Sequence, residues 1–380
     1  MLDLVVIGSL GDRRIELLQG ALAKLQLPPA RLVSYSDLIA GKVDLRDLLT
    51  PTSLLRIESP GKSVESEHAL LSLGANCEEP EACSYERIGQ AALAAQPFEK
   101  GLILPSRQWY LGYCRILELI QQQAGQTMNH PAAIMTMFDK RACHALLESH
   151  ALAVPPAIGP ISCYDELLVQ MRQRNWRQVF VKLAHGSSAS GVVAFRMHKE
   201  QYQAITTVEM VRHQGQVRLY NTRRIQIYRN EGEIATLIDA LCRHRVHVEQ
   251  WLPRAFSGTR IFDLRLVVIA GQVQHVVVRQ SAMPITNLHL LNPRGDLEAV
   301  MQAVGPGRWQ AALETCQRAA ALFPSLYMGI DLLFKPGFKQ HAIIEMNAFG
   351  DLLPGVLYEG RDTYSSEILA ALATSQVGAS

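Results

Sequence analysis

Met328-Gly329-Ile330-Asp331-Leu332-Leu333-Phe334 and His341-Ala342-Ile343-Ile344-Glu345-Met346-Asn347 are two apolar runs into which oxygen-bearing side chains have been set. Both have the length and composition of buried strands, and they pair naturally as a hairpin. Successive side chains of a strand point to opposite faces, so Glu345 and Asn347 share one face, while Asp331 follows Gly329-Ile330 in the partner strand. Hard oxygen ligands gathered on one face suit Mg²⁺, whose octahedron is completed by water and nucleotide phosphates. A solvated sheet face would carry the same residues, so the reading depends on what the rest of the chain supplies.

Upstream, the complementary charge is present. Lys140 follows Asp139 at a helix start, and Lys182 ends the apolar strand Gln178-Val179-Phe180-Val181-Lys182, where an ammonium is costly unless an anion meets it. That strand runs into Ala184-His185-Gly186-Ser187-Ser188-Ala189-Ser190-Gly191 and a second strand, Val192 to Phe195, which makes a hairpin with a small, hydroxyl-rich tip. Small residues let backbone N–H groups approach phosphate oxygens. The loop is neither GxxxxGK[ST] nor GxGxxG before a helix, so the P-loop and dinucleotide-fold readings fail. Glu249-Gln250-Trp251-Leu252, stopped by Pro253, is a strand end whose main chain could meet the edge of adenine. Asp263-Leu264-Arg265 and Arg279 bring guanidiniums into the next sheet, suited to a transferring phosphate or a substrate carboxylate, and Asn287-Leu288-His289 extends the polar set.

The remaining pattern is α/β. Leu4 to Ile7 reads as a strand, Ile15 to Leu25 as a helix, Arg31 to Tyr35 and Leu54 to Glu58 as strands, and Tyr110 to Gln123 as an amphipathic helix. Asn129-His130-Pro131 reads as a break, followed by a helix from Phe138 to His150 that Val154-Pro155-Pro156 stops. Residues 209 to 229 alternate as an exposed ribbon. Leu264 to Ile269 and Val273 to Val278 are strands joined at Ala270-Gly271, and Trp309 to Leu322 is a helix. The divisions expected are 1–128, an N-terminal α/β lobe; 129–253, a central lobe with the glycine-serine loop; and 254–380, a C-terminal lobe with the metal site.

Composition narrows the class. With 380 residues, 48% of them hydrophobic, the chain can bury cores for two or three lobes. The 37 basic residues nearly cancel the 35 acidic ones, so the net charge asks for neither nucleic acid nor an anionic membrane. No apolar run approaches the roughly 18 residues that span a bilayer, no leader pattern opens the chain, and the seven cysteines form no CxxC pair; the expected compartment is the cytoplasm, with reduced thiols.

The order of Asn129-His130-Pro131 before Asp139-Lys140, then Val181-Lys182 with its loop, Glu249-Gln250-Trp251-Leu252, Asp263-Leu264-Arg265, Gly329-Ile330-Asp331 and Glu345-Met346-Asn347 resembles the ATP-grasp superfamily. It is most similar to the group of ribosomal-protein glutamate ligases and related amino-acid ligases. The resemblance covers about 125 to 358, and the preceding lobe fits the α/β unit that precedes the grasp. It implies an N-terminal pre-grasp lobe and two α+β lobes clasping ATP. It also implies that Lys140 and Lys182 contact nucleotide phosphates, that the loop containing His185, Gly186, Ser187, Ser188 and Gly191 closes over them, and that Glu249, Gln250, Trp251 and Leu252 hold adenine. Asp331, Glu345 and Asn347 would bind one or two Mg²⁺, or Mn²⁺ in its place. Arg265 would sit by the γ-phosphate and the acyl phosphate, Arg279 is a further catalytic candidate, and Asn287 would lie near metal or substrate.

The implied activity is ATP-dependent ligation of a small-molecule or peptide carboxylate to an amine, with a homodimer compatible with it. Kinase-type phosphoryl transfer and a non-catalytic nucleotide-binding role are the alternatives. Two positions depart from the group. Ile285 stands where an arginine often precedes the asparagine matching Asn287, leaving Arg279 or Arg294 to replace it, and Arg254 stands where an acidic residue often meets the ribose. The ribbon of residues 209–229 reads as an insertion.

Overall fold

The structure, a computed structural model, describes residues 2–377 except Lys62, Ala82, Ser84 and Gln214. Three sheets divide the strands. The first contains β1 (Asp3–Gly8), β2 (Arg31–Ser34), β3 (Ser53–Ile57) and the short β4 (Gln126–Thr127), all parallel in the order β2-β1-β3-β4. The second contains β5 (Ala157–Ile158), β6 (Gln178–Leu183), β7 (Val193–His198), β8 (Gln201–His213), β9 (Gln216–Tyr228) and β10 (Val246–Gln250), in the order β5-β10-β6-β7-β8-β9. The third contains β11 (Phe256–Ser257), β12 (Arg260–Ile269), β13 (Gln272–Ser281), β14 (Tyr327–Phe334) and β15 (His341–Asn347). Its strands are antiparallel, and β12 lies between β13 and β14.

The apolar alternation explains how these sheets pack. Val179, Val181 and Leu183 of β6 point into a core closed by the helices Tyr164–Gln173 and Glu231–Cys242, and this core belongs to the second sheet alone. The first and third sheets instead share a core. Val5, Ile7, Leu55 and Ile57 lie in one buried cluster with Leu264, Leu266, Ile330 and Leu332, and the helices Pro131–Phe138 and Lys140–Ser149 fill the space with Ile134, Met137, Cys143 and Leu147. The middle sheet is therefore packed as its own unit over a base made by the other two.

The segment around Pro131 is not a break. Proline lacks an N–H that the first helical turn would leave unpaired anyway, and Pro131 starts a helix capped by His130, whose Nδ1 accepts from the Ala132 N–H at 3.2 Å. The interruption falls eight residues later. Asp139 is extended (φ −95°, ψ 100°), ends that helix and caps the next, accepting from the N–H groups of Arg141 and Ala142. Lys140 thereby sits at the first turn of a helix, where its N–H donates to the Ala184 carbonyl just beyond β6 at 3.0 Å. Residues 209–229 are also more than an appended ribbon: β8 and β9 are the outer strands of the second sheet. The Leu219 carbonyl accepts from the Ile103 N–H at 2.8 Å, and Arg218 pairs with Glu99 at 2.7 Å, which ties the ribbon to the N-terminal lobe.

Candidate active site

The second and third sheets face each other across a cleft of about 300 Å³, within the range of small-ligand pockets. From β6, Phe180 and Lys182 project into it, opposite in phase to the core residues. From the third sheet come Asp263, Arg265, Arg279, Asp331, Glu345 and Asn347. Register makes that cluster: Arg265 is directly opposite Asp331, Asp331 opposite Glu345, Asp263 opposite Arg279, and Gly329 opposite Asn347. Lys140, Gly186 to Ser190, Arg254 and Asn287 complete the lining, and Arg14 and Ser59 reach it from the N-terminal lobe.

Most of its charges are already paired. Lys140 Nζ is 2.8 Å from Glu345 Oε1 and donates to the Gly186 carbonyl at 2.7 Å. Burial pushes the Glu345 carboxyl up, but Lys140, Lys182 and Arg265 outweigh it and hold the group below its ordinary value. Lys182 pairs with Glu249, and His247 Nε2 stands 3.4 Å from the other carboxylate oxygen. Against the opposing effect of burial, Lys182 and His247 hold the Glu249 carboxyl at about 2. On the opposite wall, Arg279 donates to Asp263 at 2.7 Å and to Asp331 at 2.8 Å. Arg265 Nη1 is 3.0 Å from Asp331 Oδ1 without the alignment of a hydrogen bond, so both buried atoms lack a bonded partner, as does Asn347 Nδ2. All three residues line the cleft.

Gly329 and Gly350 make room for Arg265. A Cβ on Gly329 would lie 2.5 Å from Gly350 Cα and 2.7 Å from Arg265 Nη1, so only two glycines allow the backbones and the guanidinium to meet.

The glycine-serine loop is held in place. Ser190 N–H donates to the Ser187 carbonyl at 2.9 Å, Thr207 Oγ1 to the Ala189 carbonyl at 2.7 Å, and Lys140 to Gly186. Ser188 and Ala189 both have positive φ, 53° and 60°, an uncommon conformation for side-chain-bearing residues.

Several expected positions lie elsewhere. His185 turns away from the cleft: its ring stacks on Tyr110 with centroids 3.9 Å apart, and Nε2 is 3.3 Å from Nη1 of both Arg107 and Arg245. A ring buried between two guanidiniums cannot reach a ligand in the cleft. Gly191, with φ 66°, closes the hairpin where a Cβ would strike Leu183 at 2.4 Å. The Glu249 carboxylate is buried on Lys182. Trp251 spends its main-chain groups on Gln178, its N–H donating to the Gln178 carbonyl at 3.2 Å and its carbonyl accepting from Gln178 Nε2 at 2.8 Å, and the Gln250 N–H donates to the Pro156 carbonyl at 2.8 Å. Those donors are not available to adenine, and Leu252 packs with Leu333, Ala342 and Ile344. Asn287 lines the cleft while its Oδ1 caps a short 3₁₀ turn by accepting from the His289 N–H at 2.8 Å.

Neither arginine expected to replace the one missing at Ile285 is free. Arg279 is engaged by two aspartates, and Arg294 is exposed and donates to the Pro354 carbonyl at 3.0 Å. Sequence reasoning missed Arg14 and Ser59, which no motif marks, and assigned Arg254 only by what it replaces.

The donor set of this cleft suits a divalent ion. Two carboxylates and an amide on adjacent strands, with Asp331 Oδ1 accepting no hydrogen bond, fit an oxygen-loving cation that takes its other ligands from phosphate and water. Among the described residues no group of three or more His, Cys, Asp and Glu side chains could hold a metal alone. No helix of the described residues is long and apolar enough to cross a membrane.

Neither a protein-family model nor a curated protein matches this chain. Solved structures do. D-cycloserine synthetase DcsG is 13% identical with a TM-score of 0.57, over 97% of this chain and 99% of that one. ATP-grasp ligase PsnB complexed with a minimal precursor is 15% identical with a TM-score of 0.53, over 98% and 99%. D-alanine–D-alanine ligase from Bacillus anthracis complexed with ATP is 12% identical with a TM-score of 0.51, over 100% and 98%. Identities this low speak to architecture alone, and across nearly the whole length of both partners that architecture is the same: this chain has the ATP-grasp fold.

Proposed function

We propose that the protein is an ATP- and Mg²⁺-dependent ligase that joins a carboxylate to an amine through an acyl phosphate. One observation carries this reading: Lys140 and Lys182 meet Arg265, Asp331, Glu345 and Asn347 of the third sheet in a single cleft, in a fold shared with ligases. Lys140, Lys182 and the Gly186 to Ser190 loop would hold the phosphates, and Asp331, Glu345 and Asn347 the metal ion, which when bound offsets the charge on the transferring oxygens. Arg265 stands beside Asp331, where a guanidinium can stabilise charge that develops as the phosphoryl group moves to the carboxylate. The loop then excludes water while the amine attacks the acyl carbon and phosphate leaves.

The PsnB structure contains a minimal precursor. We extend that substrate class here, to a peptide or small-molecule carboxylate.

The reading is tested by following phosphate release from MgATP over pairs of carboxylates and amines. Release that requires both partners supports ligation, release with one alone points to a kinase, and no nucleotide binding at all ends the proposal.

A further inference from the structure

Around the cleft five cations, Arg254, Arg265, Arg279, Lys140 and Lys182, meet four carboxylates, Asp263, Asp331, Glu345 and Glu249. Three guanidiniums, Arg254, Arg265 and Arg279, face two carboxylates, Asp263 and Asp331. The other cations nearby, Lys140 and Lys182, are matched by Glu345 and Glu249. Arg279 takes the close contacts with both aspartates, so Arg254 is left 4.0 Å from Asp263, and Asp263 is also bonded by the Thr286 hydroxyl. Arg254 is 9% exposed, lines the cleft, and its buried Nε has no hydrogen-bond partner. Burial pulls its guanidinium below the ordinary value, with Asp263 only partly opposing. A buried cation without a full counter-charge is unfavourable unless something outside the chain supplies one.

The surroundings say what kind of anion. Arg254 Nη1 donates to the Pro284 carbonyl at 2.5 Å and lies 3.4 Å from Thr286 Oγ1, so the guanidinium sits against the two residues that flank Ile285. Its carbon Cζ is 5.7 Å from the Phe180 ring centroid, and Phe180 and Ile285 belong to one apolar cluster. Lys140 and the Gly186 to Ser190 loop, the small polar groups suited to polyphosphate, approach from the second sheet. A guanidinium bordered by aromatic and aliphatic walls matches a carboxylate on an apolar stem.

We infer that Arg254 is the specificity-determining receptor for a substrate carboxylate. This rests on the ligase reading for the identity of the substrate, although the anion site itself does not.

The test uses the full chain, first loaded with a nonhydrolysable MgATP analogue, then exposed to butyrate or to its uncharged isostere butyramide at matched ionic strength, and followed by melting temperature and by calorimetry. Wild type should be stabilised by butyrate and not by butyramide. Arg254→Gln should lose that difference while binding the analogue within about twofold of wild type, and Arg254→Lys, which keeps the charge but not the planar fork, should retain a weakened response.

Three results would overturn the proposal: no preference for butyrate in wild type, a preference that survives Arg254→Gln, or a tenfold loss of analogue affinity in Arg254→Gln, which would make Arg254 a phosphate contact. Failure of the protein to bind the analogue at all would count against the ligase reading instead, and the butyrate comparison on the apo protein would then still decide the role of Arg254.

Discussion

Lys140 Nζ stands 2.8 Å from Glu345 Oε1 and 2.7 Å from the Gly186 carbonyl oxygen, so one ammonium spans the metal-candidate strand and the base of the glycine-serine loop. Phosphate and Mg²⁺ would each have to take over one side of this pair. Binding of either alone leaves the other charge unanswered in a buried cleft, which makes their binding mutually dependent. Nucleotide affinity should therefore fall at least tenfold when EDTA removes Mg²⁺. Glu345→Gln should lose more than 100-fold in turnover while its nucleotide affinity becomes nearly indifferent to Mg²⁺. Calorimetry with and without the metal checks both; a variant that hydrolyses ATP like wild type would remove Glu345 from the metal site.

Lys182 is expected from the sequence to be answered by a ligand, yet its partner is the buried Glu249. Removing one member of a buried pair leaves the other uncompensated, at about 3–5 kcal/mol. Lys182→Met should accordingly lower apo stability by an amount of that order in urea unfolding, and Lys182→Met with Glu249→Gln should recover part of it. Unchanged apo stability with lost nucleotide affinity would mean that the ion pair contributes nothing to the fold.

How much of this was legible in the sequence follows from the range of the interactions. The closing hairpin was readable because alternation within a strand fixes which side chains share a face, and Asp331, Glu345 and Asn347 do meet across β14 and β15. The fate of His185 was not readable. Its neighbours Tyr110, Arg107 and Arg245 come from distant segments, and a histidine beside glycines and serines looks like part of their loop. Nor were the hydrogen bonds of Trp251 readable, because Gln178, which occupies them, lies across a strand pairing that local pattern does not specify. Pro131 misled by its residue type: proline interrupts a helix but also starts one, and the extended Asp139 that separates the two helices carries no equally plain signal.

Gly329 gives a test of Arg265 that leaves every charge in place. A methyl group there would meet Gly350 Cα at 2.5 Å and Arg265 Nη1 at 2.7 Å. Gly329→Ala should cost about 1–3 kcal/mol, as overpacking does, and should reduce turnover at least tenfold by pushing the guanidinium off Asp331. Gly20→Ala is the control, since nothing lies within 4 Å of that Cβ and the site is helical. It should be neutral or stabilising by up to about 1 kcal/mol. Equal activity for both variants would show that Arg265 need not sit over the two glycines.

His185 sets a dependence on pH. Burial depresses its proton affinity most, Asp139 opposes, and Arg245, Arg107 and Lys140 reinforce the depression; Tyr110 covers the ring face. The folded state therefore holds this ring neutral well below its ordinary value of 6.5. The sign follows from linkage: the contribution is complete above about 6.5, where the unfolded ring is also neutral, and is lost as pH falls and the unfolded state takes up a proton that the folded state refuses. Each such group adds a slope of about 1.4 kcal/mol per pH unit once well below 6.5. Buried His244 and His247 are depressed too and act in the same window, while burial raises Glu58 and Glu367, which act in the opposite sense. All four are common to wild type and His185→Gln and cancel in their difference. Unfolding free energies from urea titrations at pH 7.5, 6.5 and 5.5 should thus converge, the wild type losing more on acidification than His185→Gln by about one proton's slope. Because the ring anchors the residue preceding Gly186, protection of the Gly186 to Ser190 loop from hydrogen exchange, taken relative to the intrinsic rate at each pH, should fall over the same interval in wild type. Parallel stability curves for the two proteins would show that His185 is as easily protonated folded as unfolded, and the loop would then have no pH-sensitive anchor at its base.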